Sequence, residues 1–402
     1  MNKRKIVNDP VFGFITVPCD LIYDLMQHPM VHRLTRIKQL GLTCYVYPGA
    51  QHTRFQHSLG ALFLMTEAIK TLQNKGNDIT PEEAEAVYAA IFLHDVGHGP
   101  FSHTLEDFFY KNISHEDIGI AIIEKLNEEL NGKLNLTIEI LKNSYLKKFL
   151  HELVSGQLDM DRLDYLRRDS FFTGVSEGNI GSARIIKMLN IKDGKLVVEA
   201  KGIYSIENFL MSRRLMYWQV YLHHTSVAAE QVLIQILKRA KQLTANGVEL
   251  FCSPALRYFL LPNTSSPDTL IMNYAQLDDS DLLSAIKVWM GHEDKVLSTL
   301  CKGLINRVLF KTRVLQEPLT DEEKQALDKK YSEALAIPLH EAQYFYEEHI
   351  STSKTYSNHG TKIGILFNDG SIRDIAEASE ILDMKTLTQK PEKRYLLTFP
   401  LG

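Results

Sequence analysis

The chain contains 402 residues, of which 45% are apolar and 23% are charged; this is ordinary for a soluble globular protein and excludes a mainly disordered, collagenous or coiled-coil architecture. Its 45 basic and 49 acidic residues give a net charge of −4, so no basic field over the whole protein attracts nucleic acid. The four cysteines are far apart and form no C-x-x-C pair, which argues against a zinc ribbon or a disulfide framework.

The sequence carries no recognisable targeting or membrane segment. Residues 1–9 are charged and lack the apolar stretch of a signal peptide, and no apolar run approaches the ~18 residues of a membrane span. We therefore expect a soluble, cytoplasmic protein with no membrane partner and no strong signal for nucleic-acid binding.

The first part of the chain begins with β-formers and continues with helical patterns. Residues 6–18 contain many β-formers together with Pro and Gly, which predicts a short extended or hairpin segment. A broken apolar stripe over 20–40 and a second pattern over 56–75 have the spacing of helices.

The helix with the clearest start signals lies just before the densest group of histidines. Thr80 is an N-cap residue, Pro81 suits the first helical position, and Glu83 completes a capping box. Gly97 and Gly99, followed by a proline, end the helical pattern.

Farther along the chain, helical patterns are interrupted by two β-rich segments. The helical stretches cover 115–131, 145–170, 179–190, 205–241, 279–312 and 321–350. Within 190–203, the Asp193-Gly194 pair between β-formers predicts a small β-hairpin. After Ser351, strand-like segments and a short helix predict a small α/β appendage. The predicted fold is therefore mainly α, with a short N-terminal extended segment and these two small additions.

The fifteen histidines are unevenly distributed, because six of them lie between positions 52 and 115. Consecutive helical residues point about 100° apart, so His94 and Asp95 can both reach one ion only near a helix end. Gly97 and Gly99 supply such an end. An imidazole nitrogen combined with a carboxylate oxygen suits Fe, Mn, Ni, Co or Zn rather than Ca.

Two other segments could complete a metal site. His57 opens the preceding helix, and Asp159, Asp161 and Asp164 lie within a leucine-containing helical stripe. Ligands from several helices would leave open positions for water, which a catalytic metal requires. The arginines at 167 and 168 are expected to pair with nearby acids, among them Asp164 and the aspartate at 169.

The ordered set of His57, His94-Asp95 and Asp161 resembles the HD superfamily of metal-dependent phosphohydrolases. Longer segments resemble its deoxynucleoside-triphosphate triphosphohydrolase branch, which includes the dGTPase-like and the SAM-and-HD-domain proteins. These segments are 37–41, 47–50, 52–60, 94–103, 114–116, 159–169 and 211–223. The likeness covers residues 6–225 and implies an HD-domain helical bundle. We expect an HD phosphohydrolase catalytic domain over 1–240, a helical extension over 241–350 and the small α/β appendage over 351–402.

The resemblance implies a metal-binding role for four residues. His57, His94, Asp95 and Asp161 would bind a divalent transition metal, and Asp161 is preferred over Asp159 because it matches the second aspartate of the family's D-x-D-R-x-D-Y pattern. The metal would be Mn, Fe, Co, Ni or Zn, and Mg could enter with the substrate phosphates.

The resemblance also implies catalytic and substrate-binding roles. His103 and His115 match the histidines that act at the α-phosphate, and Glu106 stands where the family often has an aspartate that orients a catalytic histidine. Gln39 and Leu40 match a pair that lies against the deoxyribose. The residues that match contacts to the triphosphate and the sugar are Arg54, Arg162, Tyr165 and Asp169, and Arg213 matches a phosphate-binding arginine.

The reaction that the resemblance implies is hydrolysis of a deoxynucleoside triphosphate at the α-phosphorus, which would release a deoxynucleoside and intact triphosphate. It also implies a homo-oligomer, either a dimer or a tetramer. Two alternatives stay open. The same site could act on a monophosphate, a cyclic nucleotide or an alarmone, or an intact HD fold could bind nucleotides without catalysis. Gln39, Arg54, Tyr165 and Asp169 favour the triphosphate because they match that branch and not HD proteins in general.

Overall fold

A computed structural model describes residues 5–101, 104–109, 114–261, 266–352, 362–382 and 392–401, and it shows a mainly α-helical protein with small β-sheets. The described α-helices are α1 (Asp20–Gln27), α2 (Pro29–His32), α3 (Arg54–Asn74), α4 (Pro81–Leu93), α5 (Glu106–Phe109), α6 (His115–Glu129), α7 (Asn135–Leu141), α8 (Lys148–Val154), α9 (Met160–Thr173), α10 (Ser182–Met188), α11 (Ile203–Met216), α12 (His224–Ala245), α13 (Pro254–Leu260), α14 (Pro267–Tyr274), α15 (Asp279–Trp289), α16 (Lys295–Ile305), α17 (Asp321–Leu335) and α18 (Ile375–Ala378).

The strands are short and form three sheets in the described part of the chain. They are β1 (Ile6–Asp9), β2 (Gly13–Thr16), β3 (Leu189–Lys192), β4 (Lys195–Glu199), β5 (Lys311–Leu315), β6 (Tyr346–Thr352), β7 (Gly364–Leu366), β8 (Ile372–Asp374) and β9 (Glu392–Thr398). The mainly α fold that the sequence predicts is therefore confirmed.

Helix α3 lies at the centre of the site-bearing part of the molecule. It packs against α4 on one side and α9 on the other. Leu62, Met65 and Ile69 are fully buried, and buried residues occur on all sides of the helix. A helix that is buried all round belongs to a core, so its first turn is held firmly in place.

Capping boxes begin both α3 and α4; the one at α4 is the one that the sequence predicts, whereas α3 begins two residues before its predicted pattern. Thr53 and Gln56 form a capping box at the start of α3, and Thr80 and Glu83 form another at the start of α4. Helix α4 ends at Leu93, so the next residue is its C-cap. The His94-Asp95 pair therefore lies at a helix end, as predicted.

Both predicted hairpins are present. Strands β1 and β2 pair antiparallel near the amino terminus. Strands β3 and β4 pair antiparallel around Asp193 and Gly194, whose φ angles are 52° and 72°. A two-residue hairpin turn whose twist matches that of its strands requires positive φ at both positions, and an Asp-Gly pair tolerates this.

The carboxy-terminal strands extend two sheets that begin elsewhere in the chain. Strand β7 pairs parallel with β4, so the hairpin becomes a four-stranded sheet in the order β3-β4-β7-β8. Strand β9 lies between β5 and β6 and pairs antiparallel with both. The tail contains the strands and short helix expected of a small α/β addition, and it is joined to the rest by these strand pairings.

Several long helical patterns in the sequence are divided in the structure. The pattern over 145–170 forms α8 and α9, and the pattern over 205–241 forms α11, a π-turn over Tyr217–Tyr221 and α12. The patterns over 279–312 and 321–350 each end in a strand, β5 and β6 respectively. Both strands pair with β9, which is distant in sequence. Local periodicity therefore does not predict them.

No helix among the residues that the structure describes is both long enough and apolar enough to cross a membrane.

Candidate active site

Two imidazoles meet where the first turn of α3 faces the end of α4. The Nε2 atoms of His57 and His94 are 3.3 Å apart. Two ligands bound about 2.0–2.1 Å from one ion are separated by roughly 3 Å, so this spacing suits a shared metal. His57 is buried, whereas His94 is partly exposed.

Two carboxylates complete the group. The Oδ1 atom of Asp161, in the first turn of α9, lies 3.1 Å from His57 Nε2 and 3.5 Å from His94 Nε2. Asp95 approaches from the end of α4, with Oδ1 at 3.3 Å from His94 Nε2 and Oδ2 at 3.8 Å from His57 Nε2. The structure thus brings together all four residues predicted to bind a metal, and His57, His94 and Asp161 have the mutual spacing of a metal-binding group.

Hydrogen bonds fix the orientation of both imidazoles. His57 Nδ1 donates to Asp164 Oδ2 at 2.7 Å, and His94 Nδ1 donates to the carbonyl oxygen of Ile91 at 2.6 Å. Each bond occupies Nδ1 and directs Nε2 towards the shared space. Partners of this kind hold metal-binding histidines in one tautomer and one ring position.

The three aspartates of α9 have distinct contacts. Asp159 caps the helix by accepting the backbone N–H of Arg162 at 2.8 Å, and it forms an ion pair with the guanidinium of the same residue. Asp161 faces the imidazoles, so the preference for Asp161 over Asp159 as a ligand agrees with the geometry. Asp164 supports His57, a contact that the sequence analysis did not foresee, although its place three residues after Asp161 puts both on one helical face.

Arg168 pairs with Asp164, as the sequence indicates, and also with Asp9 at 2.8 Å. Arg167 was expected to pair with an acid, and this is wrong for the described contacts. It donates instead to Ser182 Oγ and to the carbonyl oxygen of Val11.

The aspartates around His57 and His94 favour positive charge at these two imidazoles, as their pKa values show. Burial lowers the pKa of His57, but the hydrogen bonds to Asp161 and Asp164 outweigh it and raise the pKa to about 10. The pKa of His94 is also raised, since neighbouring carboxylates outweigh its burial. The pKa of Asp161 lies below its usual range, because the two imidazoles outweigh the effect of burial. A divalent cation would satisfy these carboxylates while leaving both imidazoles neutral, so the donor set fits a transition metal.

A second group of polar side chains lies beside Asp95. His98 Nε2 is 3.2 Å from Asp95 Oδ1, and the His98 ring stacks on the His115 ring with centroids 4.0 Å apart. Glu106 Oε1 lies 2.9 Å from His115 Nδ1. Glu106 thus lies within ion-pair distance of His115, and its role in orienting a catalytic histidine stays a prediction. His103 lies outside the described residues.

Arg54 follows the N-cap of α3 and is buried. Its Nη1 atom donates to Asp95 Oδ2 at 2.6 Å. The same residue is tied to the loop before it, because its backbone N–H donates to the carbonyl oxygen of Ile37. Gln39, two residues after Ile37, donates its backbone N–H to the carbonyl oxygen of His52 at 3.0 Å. The 37–39 segment is thus held beside the start of α3.

Three residues predicted to bind substrate carry buried polar atoms without a hydrogen-bond partner in the described part of the chain. These atoms are Oε1 of Gln39, Nε of Arg162, and both Nε and Nη1 of Arg213. Buried polar groups are nearly always hydrogen-bonded in proteins, so such atoms indicate a place for a polar ligand. Leu40, next to Gln39, is half-buried and packs against the core.

Tyr165 and Asp169 lie one and two turns along α9 from Asp161. The Tyr165 ring meets the Tyr221 ring edge-on at 6.0 Å. Asp169 is buried and uses both oxygens: Oδ1 lies 2.7 Å from His52 Nε2, and Oδ2 accepts the Tyr221 hydroxyl at 2.7 Å. In this structure Asp169 organises two neighbouring side chains, and its contact with a sugar stays a prediction.

The comparison with known proteins agrees with this geometry. The family model described as the HD domain matches residues 54–169, and that of the HD associated region matches residues 180–253. The crystal structure of a phosphohydrolase from Bacteroides thetaiotaomicron VPI-5482 is similar over 98% of this chain and 99% of its own, with 57% identity and a TM-score of 0.94.

Two relatives extend the comparison. The uncharacterized protein YwfO of Bacillus subtilis is 36% identical over 77% of this chain and 72% of its own length. The deoxynucleoside triphosphate triphosphohydrolase SAMHD1 homolog of Dictyostelium discoideum is 30% identical over 60% of this chain and 50% of its own length. The chain thus spans half of that longer relative. On these matches and the histidine–aspartate group at the ends of three helices, the chain belongs to the HD-domain phosphohydrolases, in the SAMHD1-like branch.

Proposed function

We propose that this phosphohydrolase cleaves deoxynucleoside triphosphates at the α-phosphorus and releases a deoxynucleoside and inorganic triphosphate. The observation that carries the proposal is Arg213, whose guanidinium is buried with two nitrogens that lack a partner within the described chain. A buried arginine of this kind calls for an anion, and phosphate oxygens match its planar donors. The D. discoideum relative named for this activity supports the same substrate.

His57, His94, Asp95 and Asp161 would hold a divalent transition metal, which when bound would supply an acidified water and polarise a phosphoryl oxygen. Mn, Fe, Co, Ni and Zn all suit these ligands, and Mg can enter with the substrate phosphates. The protein's own contribution is the fixed orientation of the two imidazoles, which Asp164 and a backbone carbonyl provide.

The arginines neutralise the triphosphate. Arg213 offers free donors to phosphate oxygens, and Arg162 offers its Nε while its terminal nitrogen stays on Asp159. Arg54 is held by Asp95, so it would act close to the metal rather than along the outer phosphates. Interactions of this type stabilise charge that develops on the phosphoryl oxygens during cleavage.

Departure of the 5′ oxygen requires a proton, and in this proposal His115 provides it. Glu106 Oε1 lies 2.9 Å from Nδ1 of this histidine and would orient the ring so that the opposite nitrogen faces the substrate. His103, which the family pattern pairs with it, remains a predicted participant. Gln39 and Leu40 would then lie against the deoxyribose. The Gln39 Oε1 atom accepts no hydrogen bond within the described chain, so it is available to accept one from the sugar.

The test is incubation of the purified protein with each of the four dNTPs in the presence of Mn, Co, Mg or Fe, with chromatography of every product. We expect deoxynucleoside and intact triphosphate in equal amounts. Release of only orthophosphate or pyrophosphate would contradict the proposal, and activity on a monophosphate, a cyclic nucleotide or an alarmone instead would establish the alternative substrate. Assembly into a dimer or tetramer also stays a prediction, which light scattering during chromatography would test.

A further inference from the structure

The segment between α14 and α15 contacts two loops that border the active site, one at residues 37–40 and one at residues 96–101. It covers residues 274–279 and lies beyond the regions 54–169 and 180–253 that the family models match. From its sequence, this part of the chain is expected only to belong to a helical extension. Its contacts show a more specific relation to the site.

The first contacts fix the turn over 96–98, which follows His94 and Asp95. The Tyr274 hydroxyl donates to the carbonyl oxygen of Gly97 at 3.0 Å. Arg33 is buried and joins the same two regions, since it donates to the carbonyl oxygens of Leu277, Val96 and His98 at 2.8–3.1 Å. The turn over 96–98 is thus held on this segment by side-chain donors.

Asp279 makes the contact that joins the two loops to each other. Its Oδ2 atom accepts the backbone N–H of Lys38 at 2.9 Å, and its Oδ1 atom accepts the backbone N–H of Phe101 at 3.1 Å. The side chain is buried, and a single carboxylate therefore bridges two backbone segments. One segment continues into Gln39 and Leu40, and the other leads towards His103.

Helix capping does not explain this placement. Asp278 is the N-cap of α15: its side chain accepts the backbone N–H of Ser280, and it forms a capping box with Asp281. Asp279 is the first helical residue and directs its carboxylate away from the helix ladder, towards the two loops. Its acceptors are used entirely between segments that are distant in sequence.

The backbone at Phe101 needs such a restraint. Its φ angle is 52°, in the left-handed region that residues with a side chain seldom occupy. A conformation of this type persists when the surroundings impose it, and it is often found beside functional sites. The Asp279 bond to the Phe101 N–H is one of the interactions that hold it.

We propose that Asp279 is a positioning residue that sets the separation between the Gln39–Leu40 segment and the turn over 96–101, and so places the sugar-binding and catalytic residues on opposite sides of the substrate. The proposal rests on the proposed function for its catalytic consequence. Its structural part, the joint restraint of two loops by one carboxylate, does not depend on which nucleotide is cleaved.

The test replaces Asp279 by Asn, which keeps the shape but gives one of the two N–H groups no acceptor. Hydrogen exchange of the backbone amides is measured first, because it needs no substrate. We expect the peptides containing Lys38 and Phe101 both to exchange faster, by about tenfold or more. The control is Asp294→Asn: Asp294 is a partly buried aspartate at the start of α16, and its side chain binds Arg239 and the backbone of its own helix.

Activity is then measured on whichever nucleotide the wild-type protein hydrolyses. We expect kcat/KM of D279N to fall about 10- to 100-fold through both a lower kcat and a higher KM, because small misplacement of reacting groups has effects of this size. D294N should lower the midpoint of thermal unfolding about as much as D279N does, while its kcat and KM stay within about twofold of the wild-type values.

Two results would overturn the proposal: unchanged exchange at both loops, or faster exchange with unchanged kcat and KM. Absence of dNTP hydrolysis by the wild-type protein would instead refute the proposed function and leave the exchange result valid. If D279N does not fold, Asp279→Glu takes its place, since it keeps both acceptor oxygens but displaces them by one methylene.

Discussion

Three of the four predicted metal ligands, His57, His94 and Asp95, are each held by a partner of their own. Asp164 accepts from His57 Nδ1, a backbone carbonyl accepts from His94 Nδ1, and Arg54 binds the outer oxygen of Asp95. Asp161 differs, because its described side-chain contacts are with the two imidazoles alone. Its substitution therefore tests the metal site with the least disturbance of the surrounding hydrogen bonds.

We expect Asp161→Asn to reduce bound metal. The change removes an anionic oxygen from a group of two imidazoles and two carboxylates, so affinity for the ion should fall at least tenfold, in line with losses from weaker supporting contacts. Metal per chain is measured by mass spectrometry after dialysis against a weak chelator. Asp117→Asn, an exposed capping residue of α6, is the control and should keep its metal. Full retention of metal by D161N would show that Asp161 is not a ligand.

Arg213 offers a prediction in which stability and activity move in opposite directions. Two guanidinium nitrogens of Arg213 are buried without an acceptor in the described chain, although the guanidinium lies over the Tyr217 ring. The unpaired buried donors destabilise the folded protein, so Arg213→Met should raise the midpoint of thermal unfolding or leave it unchanged. The same change should lower kcat/KM for a triphosphate by about 100-fold, because a buried donor to phosphate is lost. Calorimetry and steady-state kinetics measure the two effects. A lower midpoint with unchanged kinetics would assign Arg213 a structural role.

At the scale of elements, the close approach of α3 and α9 decides the shape of the site. Gly60 lies on α3 where Asp164 and Arg168 of α9 pass it. A Cβ atom at this glycine would lie 1.9 Å from Asp164 Oδ1 and 2.1 Å from Arg168 Nη2. The glycine therefore permits the ion pair that supports His57 to fit between the two helices.

Gly60→Ala should destabilise the protein, although alanine is the better helix former. In an exposed helix interior the change would stabilise by about 1 kcal/mol. Here the added methyl group overpacks a buried ion pair, and we expect a loss of about 1–3 kcal/mol in the free energy of unfolding together with weaker metal binding. Denaturant unfolding measures the first effect. A higher free energy of unfolding for this variant would mean that α9 can shift to accommodate the methyl group without loss of stability.

At the scale of the whole molecule, the carboxy-terminal tail completes two sheets. Strand β9 is the central strand between β5 and β6, and the carbonyl oxygen of Phe399 accepts the hydroxyl of buried Tyr331 at 2.6 Å. Removing β9 and the residues after it would leave the facing edges of β5 and β6 unpaired and the buried Tyr331 hydroxyl without this acceptor. Exposed strand edges of this kind promote aggregation.

Deletion of residues 392–402 should therefore lower the midpoint of thermal unfolding by several degrees and increase aggregation. A 1 kcal/mol loss corresponds to a few degrees in a protein of this size or smaller, and the loss of a central strand exceeds that. Light scattering and calorimetry measure both effects. As a control, Glu392→Ala alters only the exposed start of the strand and should have little effect. An unchanged midpoint after the deletion would show that the tail is an independent appendage.

The sequence by itself determines the features that depend on neighbouring residues. Capping boxes at Thr53 and Thr80, the Asp193-Gly194 turn and the helix end at His94 involve interactions over two to four positions, so local residue types specify them. The ordered ligand residues also identify the HD family, because their chemistry requires those residue types at those places. Ligation, proton transfer and substrate contact by particular residues stay predictions.

Only the tertiary structure decides the features that join distant parts of the chain. Asp164 supports His57 across 107 positions, and Asp279 reaches Lys38 across 241 and Phe101 across 178. Strand β9 likewise takes its place between β5 and β6 by pairing far along the chain. A single aspartate in a helical pattern does not indicate which backbone groups it will accept from. Those partners are fixed by the packing of whole elements, which brings together groups that local patterns cannot relate.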